Sequence, residues 1–233
     1  MKLIATDTPA PTPIARMYQA LVGIGMLCAL LIVGVYLTTG PRIQFNRAQA
    51  LERAILQVLP GAVSRVSLVM DGSGTLRPVV AGDPAADTVH AGFDRSGRLV
   101  GVAIPGAGMG YQDVIGVLIG YDPQREAIVG LRVLSSRETP GLGDKIETDP
   151  AFLANFDRLP VPLDASGQAL RRAPTAVKQG EAREPWEIDG ITGATISSQA
   201  IANILAQSCT HWLPVIQQQL QRIAESGATH DDA

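Results

Sequence analysis

Four hydroxyls stand close together near the C-terminus: Thr192, Thr195, Ser197 and Ser198, in the stretch Asp189-Gly190-Ile191-Thr192-Gly193-Ala194-Thr195-Ile196-Ser197-Ser198. Behind them Ile196, Ala200, Ile201, Ile204, Leu205, Trp212, Leu213 and Ile216 recur at helical spacing, which puts the hydroxyls at a helix start. Two chemistries suit that place. A hydroxyl can cap the helix by accepting from a free backbone amide. It can also face a phosphate, because a helix N-terminus offers unpaired N–H groups and a partial positive charge. Gly193 and Ala194 are small, so a bulky group could approach the backbone there. Spacing alone favours the cap.

A second stretch, Glu138-Thr139-Pro140-Gly141-Leu142-Gly143-Asp144-Lys145, follows a strand-like run. Pro140-Gly141 reads as a tight turn, and Gly143 allows close backbone approach. Glu138 and Lys145 are spaced to pair across the loop, where an exposed pair contributes little. A third stretch, Gly106-Ala107-Gly108-Met109-Gly110-Tyr111, invites a dinucleotide reading. That reading fails because a helix must open directly after the glycines. The run Val114-Ile115-Gly116-Val117-Leu118-Ile119 follows instead, so the glycines read as a flexible connection between strands. There is no Gly-x-Ser-x-Gly, and no Ser-His-Asp or Cys-His pair stands at a suggestive place. His90, His211 and His230 are scattered, and no Cys or His cluster has metal spacing.

The elements that must position these stretches are short. Val63–Met70, Val89–Asp94, Leu99–Ile104, Val114–Tyr121 and Ile128–Leu134 are rich in Val and Ile and read as strands. Asp71-Gly72-Ser73-Gly74 and Asp94-Arg95-Ser96-Gly97 read as turns. Such spacing favours antiparallel hairpins over a doubly wound sheet. The expected fold class is α+β: a mainly antiparallel twisted sheet flanked by helices. Asp149-Pro150 opens a short helix with Phe152, Leu153 and Phe156 inward. Residues 160–186 read as a polar surface excursion. Trp186 reads either as an edge of a pocket or as a buried anchor. Pro214 is expected to kink or split the last helix near Trp212.

Ahead of the strands, Met17–Thr39 carries no charged residue, and about 20 such residues span a bilayer as a helix. Tyr18 and Tyr36 lie near its ends, where interfacial aromatics belong. The run is too long for a signal-peptide core, and Gly40-Pro41-Arg42 is no small-x-small cleavage site. A retained anchor is expected. Phe45–Leu59 has one apolar stripe and reads as an amphipathic helix ended by Pro60-Gly61. The expected layout is a tail at 1–16, a transmembrane helix at 17–39, a linker and amphipathic helix at 40–62, one domain at 63–225 and a disordered tail at 226–233. Lys2 and Arg16 precede the span, and Arg42, Arg47 and Arg53 follow it. This count leans slightly towards an N-out orientation. The 233 residues carry a formal net charge of −3, which gives no reason to propose nucleic acid.

The stretch ending at Thr195 resembles the covalent-flavin motif, Asp-x-x-(Ser/Thr)-Gly-Ala-Thr, of the FMN-binding domain family. Members include the G subunit of the Rnf (Rsx) electron-transport complex and the C subunit of the sodium-pumping NADH:quinone reductase. The Glu138–Gly143 segment and the Gly110-Tyr111 pair also match the Rnf G subunits, in the same order. The resemblance implies FMN held by a phosphoester to Thr195. It implies a pocket formed by Tyr111, Glu138, Thr139, Gly141, Leu142, Gly143, Thr192, Gly193, Ala194 and Ser197. It also implies a flavin transferase that recognises a sequence including Asp189, partner subunits of the membrane complex, and electron flow between NADH and ferredoxin coupled to ion transport. It implies a bacterial inner-membrane protein with the flavin domain on the periplasmic side, against the lean of the charge count. A flavin brings its own redox chemistry, so the missing triad and metal cluster fit an electron carrier better than a hydrolase. An anchored ligand-binding domain without a redox role and a stand-alone flavin reductase are the competing readings.

Overall fold

The computed structural model describes residues 14–80 and 88–226. Residues 1–13 and 227–233 of the two expected tails lie outside the described residues. The chain divides into two compact units, residues 1–49 and 50–233.

Helix α1 runs Ile14–Val58 and therefore belongs to both units. The linker expected after residue 39 is helical instead: α1 passes through Pro41 and runs on into the expected Phe45–Leu59 helix. A proline there gives up one amide bond and crowds the carbonyl four residues back, without ending the helix. The large apolar side chains of the first unit, such as Leu21, Ile24, Leu30 and Ile32, are exposed. Within α1 lies an N-terminal segment long and apolar enough to cross a membrane. The last turns of α1 are different: Ala54, Ile55, Val58 and Leu59 are buried among Ala103 and Leu118.

The sheet is built from β1 (Ser64–Met70), β2 (Leu76–Pro78), β3 (Thr88–Phe93), β4 (Leu99–Met109), β5 (Val114–Asp122), β6 (Ala127–Ser135) and β7 (Leu159–Pro160). Its order is β2-β1-β3-β4-β5-β6-β7, and every pairing is antiparallel. Alternation explains its two faces. Val89, Ala91 and Phe93 enter the main core, with Val102, Ile104, Val117 and Ile119 from the neighbouring strands. Ala103 and Leu118 point the other way, to the end of α1. The expected connection at residues 106–111 is mostly strand: β4 continues to Met109, and only Gly110–Asp113 forms the turn, closed by the Gly110 amide on the Asp113 carbonyl at 2.9 Å.

Helix α2 (Pro150–Ala154) opens on Asp149, whose carboxylate accepts from the amides of Ala151 and Phe152. Residues 160–186 are less of an excursion than expected. Within them β8 (Thr175–Val177) pairs in parallel with β9 (Glu187–Asp189). They also contain a third copy of a turn seen twice earlier. Asp71, Asp94 and Asp164 each accept, through one carboxylate oxygen, the amides two and four residues on and the hydroxyl of the intervening Ser. Those bonds hold all three carboxyls below their ordinary range, the serine hydroxyl being the first cause in each.

The long helix α3 (Thr195–Gln218) covers the main-core face of the sheet, and α4 (Leu220–Ser226) follows it. Pro214 does not split α3; the break comes at Gln219. There the Gln219 side chain accepts from the Leu76 amide at 2.8 Å and donates to the Gly74 carbonyl at 2.8 Å. A tertiary contact with the β1–β2 turn, rather than the proline, sets the helix end.

Candidate functional site

The segment before α3 is a tight turn. The Ala194 amide donates to the Ile191 carbonyl at 3.0 Å, and Gly193 sits at φ +85°. That positive φ at the third turn position is the type II requirement, which glycine meets without strain. The segment after β6 repeats the device. The Leu142 amide donates to the Thr139 carbonyl at 3.1 Å, with Gly141 at φ +77° behind Pro140. The two turns meet: a Cβ on Gly193 would lie 3.5 Å from a Leu142 methyl.

Between them is a cleft of about 500 Å³ lined by Tyr111, Glu138, Thr139, Leu142, Gly143 and Gly193–Ser197. Tyr111, Leu142 and Ile196 are 64%, 48% and 56% exposed, which makes the cleft rim apolar and open. Thr195 is exposed at the first position of α3 and does not cap it. The N-cap residue is Ala194, without a side-chain bond. The capping that the hydroxyl cluster suggested falls to neither Thr195 nor Ser197. Ser198, four residues past the cap, accepts from the Ile191 amide at 3.1 Å and donates to the Ala194 carbonyl at 3.0 Å. It braces the turn and leaves the Thr195 hydroxyl at the cleft.

The turn is held from behind as well. Asn155 brackets Asp189, accepting from its amide at 2.9 Å and donating to its carbonyl at 3.2 Å. The Asp189 carboxylate accepts from the Gly180 amide at 2.6 Å. A Cβ on Gly190 would stand 2.6 Å from the Val177 carbonyl, so β8 requires glycine there. Gln179 accepts from the Thr192 amide at 3.1 Å. Thr192 lies outside the apolar cleft. It lines a smaller, more polar one of about 300 Å³ with Lys178, Gln179 and Glu181, on the other side of Thr195.

Glu138 is 5% exposed. Its Oε1 accepts from the amides of Tyr111 at 2.9 Å and Gln112 at 3.1 Å, and its Oε2 accepts from the Ser197 hydroxyl at 2.5 Å. It turns to these groups and not to Lys145. Trp186 edges neither cleft; it is half-buried, with the Arg172 guanidinium 5.7 Å from its ring centre. Gly141 shapes its turn without lining the cleft. Ile196, whose helical spacing predicts an inward position, is instead exposed on the cleft rim.

A groove of comparable size, about 570 Å³, lies between Glu52 and Leu56 of α1 and Ser64–Ser67 of β1. Below it Ser67 meets the ring of His90 at 2.9 Å, and Arg65 donates to Ser67 at 3.0 Å. Burial holds His90 down to about 4, with the Arg65 charge adding to it. None of the residues singled out for chemistry in the sequence lines this groove, so size does not choose between the two.

A cleft of this volume is in the range that small-molecule cofactors occupy. The apolar rim offers cover for a planar ring system. The exposed hydroxyl of Thr195, which carries no capping bond, and the first amides of α3 could together hold a phosphate.

Residues 110–209 match the model of the FMN-binding domain family. The G subunit of the ion-translocating oxidoreductase complex from Methanosarcina acetivorans is 31% identical over 195 residues, spanning 82% of this chain and 90% of its own. A protein of the same name from Stutzerimonas stutzeri is 34% identical over 204 residues, spanning 79% of this chain and 75% of its own. The crystal structure of NqrC from Shewanella oneidensis shares the fold, with a TM-score of 0.54 at 18% identity over 79% of this chain and 99% of that one.

Proposed function

The chain belongs to the family formed by the G subunits of ion-translocating oxidoreductase complexes, and from that premise we propose a membrane-anchored electron carrier with FMN esterified to Thr195. The observation that carries the reading is the cleft. The matched family domain, residues 110–209, contains both of its turns. Among the described residues, the only exposed hydroxyl on its rim at a helix start is that of Thr195.

When bound, FMN supplies the electron-accepting and electron-donating chemistry. The chain's own residues do the rest. Thr195 holds the phosphate through its Oγ1, and the free amides at the start of α3 face the same group. Tyr111, Leu142 and Ile196 cover apolar surface. Thr139, Gly143, Gly193 and Ala194 keep the walls close, and Gly141 and Thr192 shape the turns. A covalent link keeps the carrier loaded at a high local concentration. A threonine hydroxyl is not nucleophilic by itself, so loading falls to a separate flavin transferase. The partners are the other subunits of the membrane complex, and electrons pass between NADH and ferredoxin as ions are moved. The apolar part of α1 spans the inner membrane once, with residues 50–233 on the periplasmic side.

Denaturing electrophoresis of the full chain, produced with and without a flavin transferase, tests the reading. Flavin fluorescence should stay with the denatured band only when the transferase is present. A band that stays dark, from a preparation in which a known acceptor is labelled, contradicts it. Leu142→Asp should shift the flavin absorption spectrum while the label stays attached. An unaltered spectrum would move the ring out of this cleft.

A further inference from the structure

We infer that Glu138 is a positioning residue that clamps the three walls of the cleft, and that its fixed charge holds down the reduction potential of the cofactor there. The second half rests on the proposed flavin site; the first does not.

The three walls come from distant parts of the sequence. Tyr111 and Gln112 belong to the β4–β5 turn, Thr139–Gly143 to the loop after β6, and Ser197 to the first turn of α3. One carboxylate touches all of them, since Glu138 sits in the loop itself and its two oxygens reach the other two segments. Its three partners are all donors, which is the arrangement of an ionised carboxylate. With both oxygens occupied by protein groups, Glu138 has no need of a ligand to complete its bonding.

The glycines around it fit the same account. A Cβ on Gly110 would collide with Oε1 of Glu138 and sit 2.6 Å from an Ile115 methyl. A Cβ on Gly143 would lie 2.7 Å from Oε2 and 3.0 Å from the Ser197 hydroxyl. Gly110 and Gly143 are thus the space in which the carboxylate sits. Gly143 is buried too, at the start of the 3-10 turn Gly143–Glu147. A buried charge that lost its donors would be costly, which gives the clamp its rigidity.

The electrostatic consequence follows from position. Glu138 lines the cleft and is nearly shielded from water, so its charge is weakly screened. Electron uptake by a flavin in the cleft adds negative charge beside that carboxylate, and like charges oppose it.

Two substitutions separate shape from charge. Glu138→Gln keeps one oxygen to accept from Tyr111 and Gln112, and its amide can donate to Ser197. Glu138→Ala removes every bond. Hydrogen exchange, followed by mass spectrometry on the full-length chain in detergent without FMN, reads the clamp alone. Glu138→Ala should speed exchange at Tyr111–Gln112 about tenfold or more, and Glu138→Gln by no more than about threefold. If Glu138→Ala does not fold, Ser197→Ala serves: it should speed the same amides about two- to threefold. Unchanged exchange in the folded variant overturns the clamp.

The FMN-loaded chain is then titrated redox-optically. Glu138→Gln should favour reduction about tenfold, or about 30 mV for a two-electron couple. A potential equal to that of the parent chain overturns the charge effect. A parent chain that carries no FMN under transferase co-expression contradicts the flavin site itself, while the exchange result stands or falls independently.

Discussion

On one face of the sheet the last turn of α1 lies on Gly120 of β5 and Gly130 of β6. On the other, α3 lies on Gly106 and Gly108 of β4. Both contacts use glycine to let a helix come close, but what meets the glycine differs. A Cβ on Gly120 would collide with the backbone carbonyl of Val58, and one on Gly130 would stand 2.8 Å from the Val58 Cα. A Cβ on Gly108 would stand 2.6 Å from a methylene of Ile204, and one on Gly106 would lie 2.6 Å from the Ser208 hydroxyl and 2.8 Å from an Ile204 methyl. Backbone cannot swing aside, whereas a side chain can change rotamer. The α1 face is therefore a rigid seat that fastens the end of the long helix into the domain. The α3 face is a packed but adjustable contact, and α3 is the helix that carries Thr195 at its start.

The largest effect expected from this difference is at Gly120. Gly120→Ala should cost about 3 kcal/mol or more, a fall in Tm of about 10 °C for a domain of this size. Thermal melts of the full chain in detergent measure it. A loss below that of Gly108→Ala on the α3 face would mean that the seat yields, and the contrast between the faces would be lost.

Acid probes the same face. His90 lies on it, beside Gly92 in alternation and opposite Ala103 in register. Burial lowers its pKa from 6.5 to about 4, so the unfolded chain takes up the proton first. Stability is full above about pH 6.5 and drains as pH falls towards 4, by on the order of 3 kcal/mol. Loss from Asp71, Asp94 and Asp164 comes lower, as pH drops below their ordinary value of 3.8. Urea unfolding from pH 7 to 4 should show the His90 window, and His90→Gln should flatten it. A slope that persists in His90→Gln would place the acid sensitivity elsewhere.

Gly108→Ala should cost less, about 1–2 kcal/mol, because Ile204 can move. Ile204→Ala removes the γ carbons that the new Cβ would meet, so the double variant should cost less than the sum of the two single changes, whereas no side-chain change at Val58 can rescue Gly120→Ala. Recovery in neither background would show that the α3 face is as stiff as the other.

The same contrast explains what the sequence could disclose. The five long strands were legible because Val and Ile runs alternate and break at Gly, Asp and Pro. The Glu138–Lys145 loop was legible because Pro140-Gly141 reads as a tight turn, and the stretch ending at Thr195 because it matches a family motif; that Gly193 also closes a turn at positive φ had no signal of its own. Long-range partners were not. Gly106 and Gly108 looked like a connection, since glycines chosen for a helix in contact from above read locally like those of a loop. The pairing of β8 with β9 joins residues about a dozen apart through only three positions each, too short for a periodicity. Glu138 was picked out by its place in the loop, but its partners at Tyr111, Gln112 and Ser197 have no local signature. Pro214 does not split α3, and the helix ends where Gln219 meets the β1–β2 turn, a partner with no signature near it in the sequence.

The measurement that bears most directly on the account is peptide mass mapping of the full chain after co-expression with a flavin transferase, for the parent and for Thr195→Ala. Thr195 is exposed and carries no capping bond, so its loss should change stability by no more than about 0.5 kcal/mol. The account predicts one FMN on the peptide containing Thr195 in the parent and none anywhere in the folded Thr195→Ala chain. FMN retained in that variant, or mapped in the parent to Thr192, Ser197 or Ser198, would contradict it.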